Sequence, residues 1–127
     1  MSSIPDDRRY TDHDEWVKWD GEVLRIGITD HAQSELGELV HVELPEVGET
    51  VGAGDEVCEV ESVKAVAQIY APVAGEIVEA NEALEDEAES INDKPYDAWI
   101  FALRPSEPSS VDALLDAAGY QARLANA

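Results

Sequence analysis

Apolar and polar positions alternate with a period of two over several short stretches. Gly, Pro, Asn or Asp closes most of them, the pattern of half-buried strands joined by tight turns. Glu15-Trp16-Val17-Lys18-Trp19 and Glu22-Val23-Leu24-Arg25-Ile26 flank Asp20-Gly21. An Asp-Gly between two β-prone runs predicts a two-residue hairpin, because such turns need a positive φ. Thr29-Asp30 predicts the cap of a short helix over 31–36, ended by Gly37. Val40, Val42 and Leu44 alternate with His41 and Glu43 as a strand. Residues 57–62 and 66–71 read as a further strand pair, 76–79 as a short strand and 99–103 as the last one. The mixed pattern over 81–93 predicts a turn and a brief helix. Ser109 precedes Asp112 by three residues, like a capping box. Val111, Leu114, Leu115 and Ala118 follow at helical spacing, with Gly119 expected to break that helix.

The pattern repeats. Residues 40–57 (VHVELPEVGETVGAGDEV) and 67–84 (AQIYAPVAGEIVEANEAL) align at an offset of 27 residues. Pro45 matches Pro72, Gly48 matches Gly75, Glu49 matches Glu76 and Val51 matches Val78. Two copies of a strand–turn–strand unit, neither able to bury its apolar face alone, predict two small sheets sharing one core. The segment joining the copies, residues 59–66, then becomes a hairpin with its turn at Val63-Lys64. Residues 1–9 are expected to be a flexible arm. Residues 10–127 are expected to form one domain, with a C-terminal helical segment at about 109–125 that packs over one end of the sheets.

Composition narrows the function. At 127 residues and 44% apolar content the chain has room for one packed domain. No segment approaches the ~20 apolar residues of a membrane helix, and the first ten residues lack the apolar run of a secretory signal. One cysteine, Cys58, makes an internal disulfide impossible and reads as inert strand packing. Scattered histidines argue against a metal site. The 29 Asp and Glu against 8 Lys and Arg leave a net charge of −21. That charge opposes binding to nucleic acid or anionic membranes and suits a cytoplasm rich in salt, where screening is short-ranged. An acidic surface for basic partner proteins is compatible with the same composition.

Only three lysines occur, Lys18, Lys64 and Lys94. Lys64 stands alone at the predicted hairpin tip. It can be a solvated cation balancing Glu59 and Glu61, or an amine presented for covalent acylation.

Val60-Glu61-Ser62-Val63-Lys64-Ala65, followed by Tyr70-Ala71-Pro72-Val73-Ala74-Gly75-Glu76-Ile77-Val78-Glu79-Ala80-Asn81, resembles the H proteins of the glycine cleavage system. Gly27-Ile28-Thr29-Asp30-His31-Ala32-Gln33, Val42-Glu43-Leu44-Pro45, residues 10–16, Pro95-Tyr96 and Trp99 are similar to the same family. The likeness covers roughly residues 10–120. It implies a mainly β fold with short helices, a barrel-sandwich hybrid (a lipoyl-domain-like hammerhead) with a C-terminal helix. It also implies lipoate in amide linkage to Lys64. Biotin carriers share the architecture but flank their lysine with methionines, whereas Val63 and Ala65 stand here.

The resemblance implies a monomeric shuttle, not an enzyme, with no catalytic residue and no metal of its own. A pyridoxal-phosphate glycine decarboxylase would load an aminomethyl group onto one lipoyl sulfur. An aminomethyltransferase would pass the carbon to tetrahydrofolate and release ammonia. Dihydrolipoyl dehydrogenase would reoxidise the dithiol, and a lipoate ligase or lipoyltransferase would attach the cofactor. A lipoate relay that donates the group to other enzymes is the alternative role. Glu15 is the candidate partner for the cargo ammonium. Ser62 and His31 are candidates for bordering the arm's cleft. His13 stands where the family often has a small hydroxyl residue, and Gln68 where it often has an acidic one.

Overall fold

The structure, a computed structural model, describes residues 3–125. Nine strands occur in chain order: β1 (Arg9–Tyr10), β2 (Glu15–Asp20), β3 (Val23–Ile28), β4 (Leu39–Glu43), β5 (Thr50–Val51), β6 (Glu56–Ser62), β7 (Val66–Tyr70), β8 (Gly75–Ala80) and β9 (Phe101–Pro105). Helix α1 (Asp30–Leu36) lies between β3 and β4, α2 (Ser90–Asp93) precedes β9, and α3 (Ala117–Ala125) closes the described chain. Short 3-10 helices occupy Glu82–Glu85 and Pro108–Ala113.

Two antiparallel sheets face each other. One has the order β1-β2-β3-β9-β8-β5 and the other β4-β6-β7. Their inner faces bury Leu24, Ile26, Val42, Val60, Ile77 and Phe101 in one cluster. The repeat explains this layout in an unexpected way. Each copy gives one strand to each sheet: β4 and β7 flank β6, while β5 pairs with β8. Neither copy forms a sheet by itself.

Local chemistry accounts for most elements. The β2–β3 hairpin pairs Asp20 with Val23, so Gly21-Glu22 is the turn, one residue beyond the predicted Asp20-Gly21. Gly21 has φ 67°, which makes glycine the natural first turn residue. Thr29 caps α1 by accepting the Ala32 amide, and Gly37 ends the helix at φ 82°. Leu39 rather than Val40 enters the core. An irregularity between Leu39 and His41 turns Val40 outward and leaves it 50% exposed.

Both ends of the chain differ from expectation. Residues 3–9, within the segment expected to be a flexible arm, are tied to the body. The Ser3 amide donates to Asp30, Tyr96 donates to the Ser3 carbonyl, and Arg8 donates to the Tyr96 carbonyl. Arg9 and Tyr10 pair with β2. At the other end, Ser109 lies inside a 3-10 turn opened by Pro108 and caps nothing. The helical path breaks at residues 114–116, because Leu115 exchanges two backbone hydrogen bonds with Tyr10 (2.7 and 3.0 Å). Helix α3 then starts with Asp116 accepting the Gly119 amide at 2.7 Å. Gly119 therefore sits in the first turn of α3 and does not break it.

Candidate functional site

The hairpin joining β6 to β7 carries Lys64 at its tip, as the repeat predicted. Glu61 pairs with Val66 as the last register pair, leaving residues 62–65 to make the turn. Ser62 holds that turn from inside. Its buried Oγ accepts the Lys64 amide at 3.2 Å and the Ala65 amide at 3.0 Å, and donates to the Ala65 carbonyl. The Ser62 amide donates to the same carbonyl at 2.8 Å. The Val63 amide donates to the Glu38 carbonyl at 3.1 Å, which fastens the tip to the start of β4. Every polar backbone contact pulls the loop inward and leaves the Lys64 side chain outside. Lys64 is exposed and forms no ion pair among the described residues. Its Cε lies 3.5 Å from where a Cβ on Gly37 would stand, so the stem passes over the end of α1.

Glu15 lies at the other end of β7. It is fully buried at the start of β2. Oε1 accepts the Thr11 hydroxyl at 2.9 Å and Oε2 accepts the Tyr70 amide at 2.7 Å. Burial outweighs both hydrogen bonds and pushes the carboxyl up to about 7. An open cleft of about 270 Å³ adjoins it, lined by Thr11, His13, Glu15, Gly54, Ala71 and Pro72 among others. The His13 ring packs on Tyr70 with centroids 4.3 Å apart. Gln68 donates to Glu59 at 3.1 Å on the outside of the small sheet.

The structure does not bring all the candidates together. Ser62 belongs to the lysine turn, whereas Glu15 belongs to the distant cleft. From Val66 to Tyr70 the strand runs about 13 Å at ordinary rise per residue. His31 sits in the first turn of α1, partly exposed, 3.9 Å from Glu35. No hydrogen bond or ion pair joins it to Lys64 or Glu15 among the described residues. Cys58 is buried in β6 and its thiol is pushed up to about 12, chiefly by burial, so it packs as an apolar group. Sequence reasoning missed Thr11 and the Tyr70 amide as partners of Glu15. The Thr11-x-x-x-Glu15 spacing was the available signal; the structure adds that Asp14 between them has φ 62°.

Two facing antiparallel sheets that present an exposed lysine on a braced hairpin are a lipoyl-domain-like fold. Sequence and structure comparisons agree. The model of the glycine cleavage H-protein family matches residues 8–127, and the chain belongs to that family. It is 54% identical over 126 residues to glycine cleavage system H protein 2 of Pseudomonas putida, covering 98% of each chain. It is 52% identical over 123 residues to the glycine cleavage system H protein of Geobacillus kaustophilus, covering 96% of this chain and 97% of the relative. The crystal structure of a glycine cleavage system H protein from Mycobacterium marinum superposes with a TM-score of 0.87 at 42% identity. That match covers 96% of this chain and 99% of the other.

Proposed function

We propose that this protein is the lipoyl-bearing shuttle of a glycine cleavage system, with lipoate in amide linkage to Lys64. The observation that carries this reading is an exposed, unpaired lysine on a hairpin whose backbone contacts all turn inward. The residues present fit the group. Nζ is accessible to an acylating enzyme, Ser62 stiffens the turn beneath it, and exposed Val63 and Val66 offer an apolar bed for a neutral arm. When bound, the lipoyl group supplies the disulfide and dithiol chemistry that accepts and releases an aminomethyl cargo.

This chain's own residues present, shelter and orient. A lysyl-lipoyl arm reaches roughly 14 Å at ordinary bond lengths, comparable with the length of β7. The cleft beside Glu15 is therefore within the range of an arm folded back along the small sheet. Glu15 titrates near neutrality when alone. A cationic amine arriving there would favour its carboxylate form, giving a buried charge partner beside the cleft. His13 lines that pocket, and its ring packs on Tyr70.

The partners of this reading are the pyridoxal-phosphate glycine decarboxylase, the aminomethyltransferase, dihydrolipoyl dehydrogenase and a lipoate-attaching enzyme. The protein acts as a carrier without turnover of its own. Its charge of −21 suits a cytoplasm of high salt content. Reconstitution with the three enzymes tests the role. Wild-type protein supports glycine-dependent reduction of NAD⁺, and Lys64→Arg lowers it at least 100-fold. Equal activity of Lys64→Arg would refute the assignment.

A further inference from the structure

The turn that carries Glu15 is held from outside by α3, which the pattern of the sequence marked only as packing. Asp14 is the one non-glycine residue at positive φ among the described residues. Such a conformation costs roughly 1 kcal/mol or more for a residue with a Cβ and needs support from its surroundings. The turn supplies part of that support. The Asp14 amide donates to the Thr11 carbonyl at 3.3 Å, and the Thr29 amide donates to the Asp14 carbonyl at 3.0 Å.

Helix α3 supplies the rest. Tyr120 donates to Asp14 Oδ1 at 2.9 Å, and its oxygen lies 2.7 Å from Thr29 Oγ1. With its single proton given to the carboxylate, Tyr120 accepts from Thr29, so the chain of donors runs Thr29 to Tyr120 to Asp14. The Tyr120 ring stacks on Tyr10, the residue that enters the turn, with centroids 4.8 Å apart and planes within 8°. Arg123 adds charge contacts: Nη1 lies 3.5 Å from Asp14 Oδ1 and Nε 3.4 Å from Asp12 Oδ1, while Nη2 donates to the Asp12 carbonyl. One helix thus grips Tyr10, Asp12 and Asp14, and the next residue is Glu15.

We propose that α3 is a clamp on the Tyr10-to-Glu15 turn. Tyr120 and Arg123 act as positioning residues that keep the Glu15 carboxyl against the Tyr70 amide at the mouth of the cleft. This deepens the shuttle reading, since a Glu15 held in place is what shelters a cationic cargo. The clamp itself is independent of lipoylation and can be read on the unmodified chain.

The test uses the full-length unlipoylated protein and three variants, Tyr120→Phe, Arg123→Gln and Asp14→Asn. Asparagine tolerates the left-handed conformation, so Asp14→Asn removes the charge with little backbone strain. Two site readouts are followed by NMR. One is amide exchange of Tyr70. The other is the titration of the Glu15 carboxyl, on which Asp14 beside it and Cys58 from β6 act as titratable neighbours. The clamp predicts Tyr70 exchange at least tenfold faster in each variant. It also predicts a Glu15 midpoint displaced by half a unit or more, and a fourth, conservative variant, Arg123→Lys, that keeps both readouts close to wild type. Lowered thermal stability with both site readouts unchanged would make α3 plain packing and overturn the proposal. Should a variant fail to fold, the remaining two decide by the same readouts. A lipoylation defect at Lys64 with an intact clamp would count against the shuttle reading alone.

Discussion

Glu15 is the residue whose environment and chemistry diverge most. Its carboxyl is fully buried and titrates near 7, against 4.5 for an ordinary glutamate. A raised folded-state pKa means that the native chain holds its proton more tightly than the unfolded chain does. The contribution of Glu15 to stability is therefore most favourable below about pH 4.5. It declines as pH rises through 4.5 to 7 and is constant above that. At about 1.4 kcal/mol per pH unit the loss amounts to roughly 3 kcal/mol. Relative to wild type, Glu15→Gln should accordingly gain that much stability between pH 4.5 and 7.5, as read by urea unfolding at each pH. A difference that stays flat across this window would contradict a buried, proton-hungry Glu15. The lysine and its neighbours were legible in the sequence because tight turns and repeats leave local signatures. The Glu15 environment was not, because its burial and its Tyr70 partner, 55 residues away, arise only in the folded chain, even though Thr11 is a local neighbour.

At the scale of elements, the repeat located the fold's symmetry but not the reason for each matching glycine. Gly48 and Gly75 occupy equivalent places in the two copies. Gly48 has φ 98° with open space where a side chain would go. Gly75 has no such torsion, but a Cβ there would stand 2.3 Å from the Arg104 carbonyl oxygen, inside the β8–β9 ladder. The first glycine answers a torsional demand and the second a steric one. Asparagine eases a left-handed torsion and does nothing for a clash. Gly48→Asn should thus cost less than Gly48→Ala, about 1 kcal/mol or below, whereas both Gly75 substitutions should cost about 2 kcal/mol or more by chemical denaturation. Equal tolerance of asparagine at the two sites would refute this division. The C-terminal boundary shows why periodicity alone misplaced a helix. The strand-like exchange between Leu115 and Tyr10 overrides local spacing, and Asp116 rather than Ser109 becomes the cap.

The six-stranded sheet mixes acidic and basic residues, whereas the strands of the three-stranded sheet carry only acidic charges. Lys18 and Arg25 lie directly opposite each other on the outside of the six-stranded sheet, and Arg104 on β9 stands opposite Glu76. On the three-stranded sheet Glu43 pairs directly with Glu59, and Glu61 follows. Like charges in register destabilise a sheet unless they are screened. Arg25 is offset locally by Asp20 at 2.7 Å and stacks over Trp99 at 4.0 Å. Salt must offset the glutamates, and the net −21 sharpens the demand. Raising KCl from about 0.05 to 1 M should lift the thermal midpoint by roughly 5–10 °C, the shift expected from about 2 kcal/mol. A midpoint indifferent to salt would show that the repulsion is already balanced.

The same acidic sheet ends in the one exposed cation of its hairpin, Lys64, and the carrier role rests on what that amine holds. Intact-mass measurement of the protein from its native cell, with peptide fragmentation to place any addition, tests it most directly. The predicted result is one lipoyl increment, localised to Lys64 and abolished in Lys64→Arg. An unmodified chain from cells growing on glycine, or a lipoyl group on Lys18 or Lys94 instead, would contradict it.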